Sequence, residues 1–182
     1  MRRFKEVVSR NIAERKVLVV FLLTNIIYAL MLIITIPKTM AYANGMKLLD
    51  MMPFGYDLDY INTLMAALGQ EGRWTYLYNQ IPLDMVYPFL FGLCYCLVFS
   101  YFLAKLNKLD SAFFYLSLLP IIAGLADYFE NLGIIRILVY HESVSPALAN
   151  ITTVFSILKS TATSLFFVAL IVIIIAYAMK VI

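Results

Sequence analysis

Charge is what this sequence has least of. Only 14% of its residues are charged and 63% are hydrophobic. A soluble domain is, as a rough average, about a quarter charged and about half apolar. In water this chain would expose far more apolar surface than a soluble fold tolerates, so lipid is its natural solvent. The net charge of +3 is small, and no Arg/Lys stripe interleaves with aromatics, which argues against a nucleic-acid partner. Histidine is down to one residue, His141, in the polar turn His141-Glu142-Ser143. A His-ligated haem or zinc centre has nothing to work with. No Gly-rich phosphate cradle and no G-x-S-x-G nucleophile turn is present. The motifs call for no cofactor and no resident metal.

Cysteine is equally scarce. Cys94 and Cys96 stand two apart in one apolar run, where successive helical directions keep them from bridging each other. They read as small buried hydrophobes. No cysteine lies in the long segment between the first two apolar runs, so no disulfide framework is expected.

What is abundant is long apolar sequence. Val17 to Ile36 runs without a charge, about the length needed to cross a ~30 Å hydrocarbon core. Pro37 and Lys38 are expected to end it. Ala41-Tyr42-Ala43 has the small-x-small form of a cleavage site, but the apolar run exceeds the ~7–15 residues of a signal-peptide core. A retained helix is therefore predicted. The second span is expected over 83–103, opened by Pro82. The third is expected over 112–132, with Pro120 inside it, and the fourth over 151–178. Gly124 and Gly133, with Ala123 and Ala126, read as close-packing residues. The expected fold is all-α: an integral membrane four-helix bundle, one transmembrane domain over residues 1–182.

The segment 37–82 carries its own pattern. Leu58, Ile61, Leu64, Met65 and Leu68 recur at helical spacing between Asp57, an N-cap, and Gly69, a C-cap. This predicts an external amphipathic helix between spans one and two, lying on the membrane or capping the bundle. Trp74, Tyr76, Tyr78 and Tyr87 read as an interfacial aromatic belt.

Orientation follows from the basic residues. With the N-terminus inside, nine Lys/Arg and three acids fall on the inner side, and five Lys/Arg and eight acids on the outer. The Lys/Arg excess marks the cytoplasmic side, which puts both termini there.

Ionisable residues inside such spans are costly and raise a functional question. Asp84, Asp127, Glu130 and Lys159 lie about 30, 24, 28 and 30 Å from the inner side at 1.5 Å per helical residue. Three helices thus deliver charge to one level. Asp127, Glu130 and Asn131 share a face at i, i+3 and i+4. Thr152, Ser156, Lys159, Ser160 and Thr163 form a stripe on span four, whose inner half is apolar as far as Tyr177. The pattern predicts a polar pocket open to the outside over an apolar floor. Asn25 is the isolated polar exception in the inner half.

Three readings of that pocket follow. In the structural one, Lys159 pairs with Asp127 or Glu130 in a tightly packed cluster without a cavity. In the binding one, a lipid headgroup or small amphiphile is held. Lysine and hydroxyls suit a phosphate or carboxylate, and carboxylates suit an amine or cation. In the enzymatic one, Asp84, Asp127 and Glu130 supply a general acid and base for a lipid-like substrate. Carboxylates with Asn131 could there ligate Mg²⁺ or Ca²⁺. The expected partner is membrane lipid, with a homo-oligomer or another membrane protein as further partners.

Two stretches also carry a resemblance. One is Pro53-Phe54-Gly55-Tyr56, then Leu68-Gly69, Glu71-Gly72-Arg73, Tyr76, Gln80, Leu83-Asp84 and Tyr87-Pro88. The other is Pro120 with Ala126-Asp127-Tyr128 and Glu130-Asn131. Over roughly residues 50–135 the chain resembles small four-span bacterial membrane proteins to which no activity is attached. The resemblance implies a bacterial inner-membrane setting. It singles out Arg73, Gln80, Asp84, Asp127, Glu130 and Asn131. Arg73 is expected to pair with Glu130 or Asp127 and fold the outer helix over the pocket.

Overall fold

A computed structural model describes residues 2–181, with the side chains of Arg2 and Val181 outside the described residues. Among the described residues all regular structure is helical. We label five helices: α1 (Arg2–Asn11), α2 (Glu14–Met40), α3 (Leu58–Lys105), α4 (Ala112–Val139) and α5 (Pro146–Val181). The last four are long and apolar enough to cross a membrane. Most of the apolar run in α2 and α5 stays exposed, as expected of surface facing lipid rather than water.

Chain order is also packing order. α2 packs along α3, α3 along α4, and α4 along α5, while α5 makes a smaller return contact with α3. Small residues set the closest approaches. A Cβ on Gly124 would stand 2.6 Å from the Pro88 carbonyl oxygen of α3. One on Gly133 would stand 2.2 Å from Thr152 Oγ1 of α5. The close-packing role expected of both glycines is what the backbone shows.

Prolines act differently from the expectation. Pro37 does not end the first apolar helix, which continues to Met40. Pro82 does not open the second, which begins at Leu58. In both cases a π turn comes just before the proline, Met31–Thr35 and Tyr76–Gln80. Proline cannot donate the i→i−4 bond, and the wider turn absorbs the misfit without breaking the helix. Pro120 is not interior either. Residues Ala112–Leu118 form a 3₁₀ turn, and the α-helical part starts at Leu119, so Pro120 sits at a helix start.

The predicted amphipathic helix is present as the first part of α3. Asp57 caps it, accepting from the Tyr60 N–H at 2.8 Å. Gly69 adopts φ 58° but does not end the helix as a C-cap was expected to: the chain kinks there and continues into the long helix. Its Ile61, Leu64, Met65 and Leu68 are buried with Leu48, Leu49, Ile134 and Ile137. This face therefore caps the ends of the other helices.

The opposite end gathers α1, the α3–α4 turn and the C-terminal end of α5. Lys5 of α1 pairs with Asp110 in that turn, and Phe4 packs on Phe114. Lys180 donates to the Lys105 carbonyl at 2.7 Å. Both chain ends thus lie at one end of the bundle. Cys94 and Cys96 are buried free thiols in the core of this half.

Replacing Gly124 by valine is expected to destabilise the bundle by about 1–3 kcal/mol through overpacking. Thermal unfolding in detergent measures this. An unchanged midpoint would mean that α3 and α4 are not in close contact.

Candidate functional site

The site begins with one lysine. Lys159 of α5 is drawn out of solvent by the helices around it, and a buried ammonium needs charged and hydrogen-bonding partners. Its Nζ lies 2.5 Å from Glu130 Oε2 and 3.2 Å from Asp127 Oδ1, both on α4. It also faces the Asp50 carbonyl oxygen at 3.4 Å. The i, i+3 spacing read from the sequence is what lets one helix offer both carboxylates to one cation. Glu130 is 0% exposed and stands behind the lysine, away from the cavity described below.

Asp50 is the participant that sequence reasoning missed. It lies in a short 3₁₀ turn, Leu49–Met51, in the segment between α2 and α3. Its carboxylate accepts from Tyr76 Oη at 2.5 Å and from Gln80 Nε2 at 3.2 Å. Thr35 of α2 in turn donates to Gln80 Oε1. Tyr76 and Gln80 are the two ends of one π turn, and Thr35 ends the other. The irregular turns thus bring two polar side chains to one carboxylate and hold a third, Thr35, behind Gln80. Tyr76 is fully buried in this role and does not join the aromatic belt. Trp74 and Tyr78 do remain exposed, with ring centroids 5.3 Å apart.

α5 holds the same segment from the other side. Ser156 Oγ donates to the Met52 carbonyl at 3.0 Å. Thr153, which the polar stripe did not include, accepts from the Tyr56 N–H at 3.2 Å and donates to the Tyr56 carbonyl. Gly55, at φ 82°, lies so close to α5 that a Cβ would meet Thr153 Cγ2 at 2.6 Å. The Tyr56 side chain is buried beneath. Burial first, and the nearby Glu130 charge second, push its hydroxyl well above the usual phenol range.

Asp84 has a different environment. It is 4% exposed, and its Oδ2 has no hydrogen-bond partner. Pro88, four residues on in α3, has no N–H to give the Asp84 carbonyl. Asn131 supplies the missing donor from α4, with Nδ2 3.0 Å from that carbonyl. Asn131 is therefore a helix-mending residue, and its own Oδ1 is left without a partner. Glu130 Oε1 is likewise unpartnered.

Arg73 does not reach the cluster. It donates to the Met65 carbonyl at 2.8 Å, across the Gly69 kink, and pairs with neither Glu130 nor Asp127 among the described residues. Its guanidinium steadies the break in α3 and does not close the pocket as expected.

A cavity of about 530 Å³ opens beside the cluster. Asp50, Asp84, Asp127 and Lys159 line one end. Tyr87, Phe91, Tyr95 and Phe167 continue the wall, and Asn25 and Tyr28 of α2 face it. Asp84 and Tyr95 are eleven residues apart on one helix, so the cavity runs for about 16 Å along the bundle. α2 and α5 both line it but are not a major packing pair, which leaves the cavity's side between them. Ser160, Thr163 and Ser164 lie on the α5 wall. Asn25 is no longer anomalous: it borders the cavity and donates to the Phe21 carbonyl at 2.8 Å. A larger cavity of about 760 Å³ lies near α1, but its wall is almost wholly apolar and holds none of these acids.

The site thus combines two signatures that the sequence had set apart. Lys159 is bridged, as a structural cluster requires, and a cavity is present, as a binding site requires. Among the described residues no three acidic, histidine or cysteine side chains converge as a metal-ligand set. No family profile matches the chain, and neither a curated protein nor a solved structure matches it.

Asn131→Ala is expected to cost about 1–3 kcal/mol by leaving the buried Asp84 carbonyl without a donor. In a Pro88→Ala background the restored N–H should recover most of that loss. A double-mutant cycle by thermal unfolding reads the coupling. Strict additivity would show that Asn131 does not compensate for the proline.

Proposed function

We propose that this chain binds an amphiphile within the membrane, with its polar head at the acidic end of the cavity and its hydrocarbon along the aromatic wall. The observation that carries the reading is the cavity itself: one end is lined by carboxylates and a lysine, the rest by Phe91, Tyr95 and Phe167. Ligand sites are mostly apolar clefts with a few convergent polar groups. The thin contact between α2 and α5 supports access from the lipid side. A purely structural cluster leaves both the cavity and the unpartnered Asp84 unexplained.

In this reading the α1 end faces the cytoplasm of a bacterial inner membrane and the acidic level lies near the outer surface. The charge asymmetry supports that orientation, as does the meeting of both chain ends with the Lys-containing α3–α4 turn. The Gly69-kinked helix is then an external cap. An intramembrane enzyme using Asp84 and Asp127 as acid and base is the second reading. It draws on the same unpartnered Asp84, but Asp127 is already committed to Lys159.

Native mass spectrometry of protein purified in several mild detergents should show a bound lipid or amphiphile at one per chain. An apo spectrum in every detergent would remove the binding reading. Turnover of an added lipid, lost in Asp84→Asn, would favour the enzyme instead. Orientation is read from single cysteines at Ser9→Cys or Glu142→Cys in a Cys94→Ala, Cys96→Ala background. An impermeant maleimide should label only Glu142→Cys in intact cells, and labelling of Ser9→Cys alone would reverse the topology.

A further inference from the structure

Among the described residues lining the cavity, Lys159 is the only cation, against the carboxyl groups of Asp50, Asp84 and Asp127. Two carboxylates, Asp127 and Glu130, pair with the Lys159 ammonium, and Asp50 and Asp84 line the same end of the cavity. That ammonium has three N–H donors. It already faces three acceptors, on Asp127, Glu130 and the Asp50 backbone. An anionic head therefore finds no free cation there. Of the unpartnered polar atoms near the cluster, Asp84 Oδ2, Glu130 Oε1 and Asn131 Oδ1 are acceptors and Tyr56 Oη is a hydroxyl, and of these residues only Asp84 lines the cavity. Asp50 is different, since both of its oxygens are satisfied by Tyr76 and Gln80. Asp84 is thus the carboxylate on the wall that still lacks a donor.

The aromatic wall points the same way. Tyr28 and Tyr87 stack at 5.3 Å, Tyr87 meets Phe91 at 5.8 Å, and Phe91 meets Tyr95 at 4.9 Å. All four line the cavity. Aromatic faces are electron-rich and attract cations more than anions. The hydroxyls of Ser160, Thr163 and Ser164 both donate and accept, so they do not discriminate by charge.

We infer that the cavity selects amphiphiles with a protonated amine head, seated between Asp84, Asp127 and the Tyr87 ring, and that Lys159 is an internal counter-ion that does not touch the ligand. The inference rests on the amphiphile-binding reading above and names its ligand class. The amine N–H groups meet Asp84 Oδ2, the acceptor on the wall that lacks a donor. The hydrocarbon chain leaves the acidic level past Phe91, Tyr95 and Phe167.

Three probes with the same twelve-carbon chain test it: dodecylamine, dodecanol and dodecanoate. Each is added to the full chain in dodecyl maltoside at neutral pH, and binding is read by native mass spectrometry and by the shift in unfolding temperature. Dodecylamine should bind one per chain, at least about tenfold more tightly than dodecanol, a difference of ~1.4 kcal/mol. Dodecanoate should bind weakest. In Asp84→Asn the preference for the amine over the alcohol should vanish, while Glu71→Gln, outside the cavity, should keep it. If Asp84→Asn does not fold, the ranking of the three probes on the unmodified chain still decides. Equal binding of amine and alcohol, or tighter binding of dodecanoate, overturns the amine inference and leaves the amphiphile site standing. Failure of all three probes to bind removes both. Multiple amine adducts that persist in Asp84→Asn mean partition into detergent only and also overturn it.

Discussion

A lysine ammonium that leaves water between helices has to be surrounded, and the need to surround Lys159 organises the upper half of this bundle. Two of its partners, Asp127 and Glu130, come from one face of α4. The third is the Asp50 carbonyl, from a segment with little regular structure of its own. Losing one partner of a buried charge leaves the other uncompensated, which is far more costly than losing an exposed pair. The loop between α2 and α3 is therefore held by electrostatics at Lys159 and by the hydroxyls of Thr153 and Ser156 beside it.

From there the polar contacts continue sideways. Lys159 meets Asp50, Asp50 accepts from Gln80, and Gln80 accepts from Thr35. One line of bonds thus runs from α5 through the loop and α3 to α2, at a single level. The two π turns are placed on this line, each just ahead of a proline. Wider turns ahead of Pro37 and Pro82 keep the helices continuous and carry Tyr76 and Gln80, which bond Asp50, and Thr35, which bonds Gln80. Pro88 and Asn131 repeat the theme one turn further along: a proline withholds a donor, and a neighbouring helix supplies it. Among the described residues no comparable line of bonds ties α2 to α5 elsewhere, and both helices line the cavity.

Much of the architecture was legible in the residues. Long apolar runs, free of charge in the first and nearly so in the other three, marked the helices that can cross a membrane, because burying charge in hydrocarbon is costly. The i, i+3 spacing of Asp127 and Glu130 and the depth of Lys159 placed them at one level before any contact was known. Gly124 and Gly133 could be read as packing residues, since small side chains are what lets helices approach in lipid. Asp57 marked a helix start, while Gly69, read as a helix end, turned out to be a kink in a helix that continues. Asp50, by contrast, sits in an aperiodic loop, where no face or depth can be assigned. Tyr76 and Gln80, which hold it, stand at i, i+4 on one face, but Tyr76 read as part of an aromatic belt and Gln80 stood out only through the resemblance. Arg73 looked like a cluster member because its charge suited the acids, but charge alone does not say how far a side chain reaches.

The division follows from the range of the forces involved. Composition, apolar run length and helical periodicity are local properties of the chain, and they determined the helices, their closeness to lipid and the shared level of the acids and the lysine. Tertiary structure decided which acids hold Lys159, that Asp84 is left without a donor, that Asn131 mends a helix at a proline, and that a cavity remains between α2 and α5. Those outcomes depend on how helices distant in sequence are rotated and spaced against one another. A few degrees of rotation exchange a bridged carboxylate for an unpartnered one, and no single helix encodes that angle.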